Sequence, residues 1–223
     1  MSQQSGPEAS AEGESPLSPA AALAVLADQQ RIVANRFGSS IRVITAAWGI
    51  AWLLGFLAIW LMDSGVGGMV LPSWLGWTIF AVLFAAAIVV SAVLGIRSGR
   101  GIRSNSANAF TGTVYGVSWA VSILAINAFG AALLTHGMSA QLADLFYPSA
   151  YTLVVGMMYL AAAAIWRVGQ MVVAGAVLIV LAAGAGFFGH PTNYLVFAIV
   201  GGALFFGLAI HSVVKGRPVD ARG

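Results

Sequence analysis

VITAAWGIAWLLGFLAIWLM, residues 43–62, runs for 20 positions without an Asp, Glu, Lys, Arg or His. A helix rises 1.5 Å per residue, so this stretch reaches about 30 Å, the thickness of a bilayer's hydrocarbon core. Five more runs of the same kind follow it. Spans are expected at 41–62, 74–95, 111–134, 145–166, 168–188 and 194–214. The sequence as a whole agrees: 60% of residues are hydrophobic and 8% charged, where a water-soluble domain carries about a quarter charged. The expected fold class is all-α: a polytopic membrane helical bundle of six transmembrane helices, preceded by a short amphipathic helix.

Charge gives the threading. Arg31, Arg36 and Arg42 precede the first run; Arg97, Arg100 and Arg103 follow the second; Arg167 follows the fourth; Lys215, Arg217 and Arg222 follow the sixth. The alternate loops carry Asp63, His136, Asp144 and His190 and no Lys or Arg. Cytoplasmic loops retain basic residues, so the chain is expected in the plasma membrane with both termini in the cytoplasm. Trp60, Trp74, Trp77, Tyr147, Tyr151 and Tyr194 fall near the opposite boundary, where amphipathic rings favour headgroup depth.

Four segments are expected along the chain: a disordered tail at 1–17, an amphipathic helix at 18–38, a membrane domain at 39–215 and a cytoplasmic tail at 216–223. The first holds Glu8, Glu12 and Glu14 with few large apolar side chains, too little to offset the entropy of ordering. In the second, Ser18 suits an N-cap and Pro19 a first helical turn. Leu23, Leu26, Val33 and Phe37 lie near one face, with Asp28, Gln29, Arg31 and Arg36 largely elsewhere, and Gly38 marks the expected end. This helix either lies against headgroups or a partner, or is a plain lead-in to the first span.

The basic balance points to anionic lipid at the cytoplasmic leaflet, with no nucleic acid expected. Arg97, Arg100 and Arg103 lie in GIRSGRGIRS, residues 95–104, the densest part of that surface. They are the candidate lipid contacts, and the plainer reading is a topology signal alone. A phosphate-binding loop would end in Gly-Lys-Ser or Gly-Lys-Thr after a strand, and this segment does not.

The third run is the least apolar. Tyr115, Ser118, Ser122 and Asn127 form a polar stripe, read either as the lining of a substrate path or as hydrogen-bonding glue between helices. Gly112 with Gly116, and Ala203 with Gly207, make small-xxx-small pairs that permit close helix approach. Gly184, Gly186 and Gly189 crowd the end of the fifth run and are expected to loosen it. Trp48, Trp52 and Trp119 lie deep, where rings pack a bundle or line a pocket.

Signals for catalysis are weak. The chain has no cysteine, hence no thiol nucleophile or thiolate metal site. His136, His190, Asp63 and Asp144 reach one face, but none has the spacing of a helix-borne metal pair. His211 is expected near the inner interface. No charged residue marks a coupling site inside the runs, so neither an enzyme nor a cofactor is expected, and an ion-driven pump is disfavoured.

DQQRIVANRFG at 28–38 leading into WGIAWLLGF at 48–56, AVLGIRSGRGIRS at 92–104 and YGVSWAVSILAIN at 115–127 together resemble an uncharacterised group of small multi-pass membrane proteins from high-GC Gram-positive bacteria, sometimes labelled transporter-like. The resemblance covers about residues 23–127 and implies membrane residence without assigning any binding residue. The expected function is a non-catalytic membrane subunit of an exporter-like transport system, working with a cytoplasmic ATPase or regulator. The alternatives are an autonomous carrier or facilitator, and a membrane-anchored regulator or scaffold that moves nothing.

Overall fold

The computed structural model describes residues 18–66, 71–99 and 106–215. The tails expected at 1–17 and 216–223 lie outside the described residues, as do Arg100 and Arg103. Every element among the described residues is helical: α1 Pro19–Ser64, α2 Ser73–Gly99, α3 Ser106–Thr135, α4 Ala140–Trp166, α5 Gly169–Gly184, α6 Thr192–Val196 and α7 Gly202–Lys215. A 3-10 turn, Ala185–Phe188, closes α5, and a π turn, Phe197–Gly201, joins α6 to α7. Six stretches are long and apolar enough to cross a membrane: Ser39–Ser64, Ser73–Arg97, Asn108–Thr135, Ala140–Trp166, Gly169–Phe188 and Thr192–Val214. The chain is therefore an all-α, multi-pass membrane protein. Helices satisfy every backbone donor within one segment, and hydrocarbon offers no alternative partner.

The chain divides into residues 1–36 and 37–223. In the first unit α1 opens as its sequence leads one to expect: the Ser18 hydroxyl accepts a hydrogen bond from the Ala21 amide at 3.2 Å, and Pro19 is the first helical residue. The boundary expected at Gly38 is absent, because Gly38, Ser39 and Ser40 are themselves helical. One glycine costs a helix about 1 kcal/mol, a bias that a continuous hydrogen-bond ladder overrides.

In the second unit the core is built by the first, fifth and sixth spans. Trp52, Phe56 and Ile59 of α1 meet Leu178 and Leu181 of α5 and Tyr194, Phe197 and Phe205 of the sixth span. Close approach depends on glycine at chosen points. A Cβ at Gly201 would fall on the Trp52 ring, and one at Gly49 would lie 3.0 Å from Phe206. Along α4 and α5 the approach is reciprocal: a Cβ on Gly156 would stand 2.9 Å from the Gly175 carbonyl, and one on Gly175 2.8 Å from the Gly156 carbonyl. The glycines expected to make such contacts do not make them. Gly112, Gly116 and Gly207 each face open space among the described residues.

Two helix ends fix the fourth span. The Ser139 hydroxyl accepts from the Leu142 amide at 3.2 Å, capping α4 at its start. Arg167 ends it in the left-handed region at φ 56°, the conformation that commonly terminates a helix. Pro148 lies inside α4. At the end of the fifth span, Gly189 adopts φ 70°, where the chain turns toward the sixth.

Candidate ligand cavity

A cavity of about 1030 Å³ lies among all six spans, the fifth contributing Met171. Each long helix contributes one face. On α1 the lining residues Ile44, Trp48, Trp52 and Phe56 recur every fourth position, and on α3 Tyr115, Trp119, Ile123 and Asn127 do the same. On α2 the series is Trp77, Phe80, Phe84, Ile88 and Ser91. Spacings of three and four keep side chains on one helical stripe. On α4 the lining runs from Ala143 to Ala162, a rise of about 28 Å. The cavity thus extends over nearly the depth of the hydrocarbon core.

Aromatic rings dominate the walls and brace one another. Phe80 and Phe84 stack with centroids 4.2 Å apart, and Trp48 meets Phe84 edge-on at 5.8 Å. Trp52 lies 5.2 Å from Phe56, which stacks on Phe197 at the same separation. Such pairs contribute about 0.5–1.5 kcal/mol beyond burial and hold ring orientation. The deep tryptophans therefore pack the bundle and line the cavity at once.

Several polar groups along this wall are bonded within the bundle. The Trp48 indole N–H donates to the Ser91 hydroxyl at 3.0 Å, and that hydroxyl donates to the Ala87 carbonyl at 2.8 Å. The Tyr115 hydroxyl donates to the Met158 carbonyl at 3.3 Å, tying α3 to α4, while its ring meets Trp166 edge-on at 4.9 Å. The sequence stripe on α3 divides. Tyr115 and Asn127 line the cavity, whereas the Ser118 hydroxyl donates to the Val114 carbonyl of its own helix at 2.8 Å. Ser122 is half-buried, and the lining face of α3 passes through Trp119 and Ile123 instead. The Asn127 amide donates to the Ile123 carbonyl at 2.8 Å. Arg97 is exposed in the last turn of α2.

At the other end of the bundle, where α1 stops and α4 and α6 begin, three titratable residues from distant parts of the sequence converge. His190 Nε2 lies 3.5 Å from Asp63 Oδ2, and His190 Nδ1 lies 3.8 Å from Asp144 Oδ2. Asp144 also lines the cavity, with Trp77, Tyr147 and Tyr194 at the same end. The carboxylates approach opposite nitrogens of one imidazole ring, so a single metal ion would not reach all three groups. No metal-binding cluster of three or more such residues occurs among the described residues. His136 is turned back on α3, its Nδ1 2.8 Å from the Ala132 carbonyl. His211 is exposed near the end of α7.

The sequence places these residues at one face but not in contact, because they lie far apart in the chain, on α1, on α4 and in the turn before α6, with no periodic relation. One signal was present: Pro148 removes a backbone donor four residues after Asp144, which marks that turn of α4 as needing an outside partner. The partner is Asn193, fully buried, whose side-chain amide donates to the Asp144 carbonyl at 3.0 Å.

No protein family model, curated protein or solved structure matches the chain.

Proposed function

We propose that this chain is a non-catalytic membrane component of a transport system, and that its cavity holds an amphiphilic cargo drawn from the bilayer. The observation that carries the reading is the long aromatic lining, from Ala143 to Ala162 on α4 and from Ile44 to Ile59 on α1. Ligand sites of about 300–1,000 Å³ with apolar walls and a few polar groups are the usual form of a small-molecule site. A cavity close to the depth of the hydrocarbon core suits an extended apolar chain better than a compact solute.

Transport in this reading is exporter-like, in the plasma membrane, with both termini and the Arg97 loop on the cytoplasmic side. That loop offers a basic surface to anionic lipid and to a cytoplasmic ATPase or regulator, which would supply the energy. The chain carries no nucleotide-binding signature of its own. An autonomous carrier is the second reading, favoured by the same lining, since a cavity of that depth leaves little barrier to cross.

The test is reconstitution. Inside-out vesicles containing this chain, alone or with whatever ATPase co-purifies with it in stoichiometric amount, are loaded with a fluorescent long-chain amphiphile. ATP-dependent movement only with the partner supports the subunit reading. Equal movement by the chain alone replaces it with the carrier. Saturable binding that is lost when Ile123→Trp fills the cavity ties either result to this site.

A further inference from the structure

From the charge and ring placement at the His190 end of the cavity we infer that the cargo is a long-chain amphiphile with a cationic headgroup, an alkylammonium, bound beside Asp144. The inference rests on the proposal that the cavity holds an amphiphile and adds the chemistry of its head.

Asp144 is the carboxylate in the lining, and its side chain retains 36% of its exposure. His190 Nδ1 is 3.8 Å from it, an ion pair when the ring is protonated, and this occupies at most one of the carboxylate's roughly four lone-pair sites. Asp63 lies on the far side of the same imidazole ring and adds a second negative group to this end. His190, between the two carboxylates, can balance only one of their charges. Among the described residues of the bundle, Arg42, Arg97, Arg167 and Lys215 stand at the opposite end of the spans. An anionic head would therefore meet the Asp144 carboxylate, with Asp63 across the His190 ring, and no Lys or Arg among the described residues.

The rings complete the recognition. Trp77, Tyr147 and Tyr194 come from three different helices and line the same end as Asp144. Aromatic faces attract cations through their quadrupole, most strongly when water is excluded, and a ring of them around a carboxylate is the chemistry that selects an ammonium. The rest of the cavity, walled by Trp52, Phe84 and their neighbours, takes the hydrocarbon tail. An uncharged head would gain only the apolar part of this arrangement.

The test holds the tail constant and varies the head. Wild-type protein in nanodiscs of zwitterionic lipid is titrated with chain-brominated hexadecyl amphiphiles bearing trimethylammonium, glucoside or sulfate heads, and quenching of tryptophan fluorescence is followed. The trimethylammonium compound is expected to bind about tenfold more tightly than the glucoside, with the sulfate weakest. D144N is expected to abolish the preference and D144E to keep it. Should D144N not fold, the wild-type series and D144E decide. Equal affinity for the ammonium and the glucoside in wild type overturns the headgroup inference and leaves the cavity reading standing. Failure of every amphiphile to quench saturably removes the cavity reading as well.

Discussion

The side-chain amide of Asn193 donates at 3.0 Å to the backbone carbonyl of Asp144, the acceptor that residue 148 would serve in an uninterrupted helix if it were not proline. Proline inside a helix deprives the carbonyl four residues earlier of its donor, and within a membrane that oxygen has no water to turn to. A residue from the sixth span replaces the missing bond in the fourth. The same contact holds Asp144 against α6, so the first turns of α4 and the end of the cavity are fixed together.

The two positions are therefore coupled. Asn193→Leu is expected to destabilise the fold by about 1–2 kcal/mol. In a Pro148→Ala background, where the carbonyl recovers its helical donor, the same substitution is expected to cost about 1 kcal/mol less. A double-mutant cycle on unfolding in mild detergent measures the difference. Equal costs in both backgrounds would show that the amide and the proline act independently.

Gly201 and Gly207 separate packing from mere helix content. Gly201→Ala drives a Cβ into the Trp52 ring and is expected to cost about 1–3 kcal/mol through overpacking. Gly207→Ala meets nothing within 4 Å among the described residues and is expected to be neutral, or to stabilise by up to about 1 kcal/mol through helix propensity. Thermal unfolding of both variants checks the pair. Gly112→Ala and Gly116→Ala belong with Gly207 unless a second molecule packs there, which a change in oligomeric state by native mass spectrometry would reveal.

The six spans could be read from the sequence because each is a local property: a run such as 43–62 holds about a bilayer's thickness of uncharged helix in consecutive residues. The cavity is not local. Trp48, Trp52 and Phe56 carry the same pattern whether their face meets another helix or open space, and only the positions of α2, α3 and α4 decide between them. Ser118 shows the converse. Its hydroxyl suggested either a path or a bond to a neighbouring helix, yet a serine within a helix readily bonds the carbonyl four residues back, and Val114 is that partner here. Gly38 resembled a helix end because glycine often is one, but the ladder through Ser39 and Ser40 continues.

Tyr115 is the structural member of the polar stripe. Its hydroxyl bridges α3 to the Met158 carbonyl of α4, whereas the Ser118 hydroxyl stays within α3. Tyr115→Phe is expected to lower stability by about 0.5–1.5 kcal/mol, and Ser118→Ala by less than about 0.5 kcal/mol. Ligand quenching of tryptophan fluorescence is expected to change with Tyr115→Phe and to be unaffected by Ser118→Ala. A loss of binding in Ser118→Ala would restore that hydroxyl to the cavity.

The proposed orientation has a direct test, because the chain contains no cysteine and any introduced thiol is the sole target for a maleimide. Ser139 caps α4 at the end of the bundle that carries no Lys or Arg among the described residues, and Arg97 stands exposed in the last turn of α2 at the other end. If basic residues are retained in the cytoplasm, Ser139→Cys is expected to react with a membrane-impermeant maleimide in intact cells. Arg97→Cys is expected to react only after permeabilisation. The charge bias at the remaining loops protects the second variant, since Arg42, Arg167 and Lys215 still mark the same side. The reverse labelling pattern would invert the chain, placing the Asp63, Asp144 and His190 cluster in the cytoplasm and turning the proposed exporter into a protein loaded from the other face.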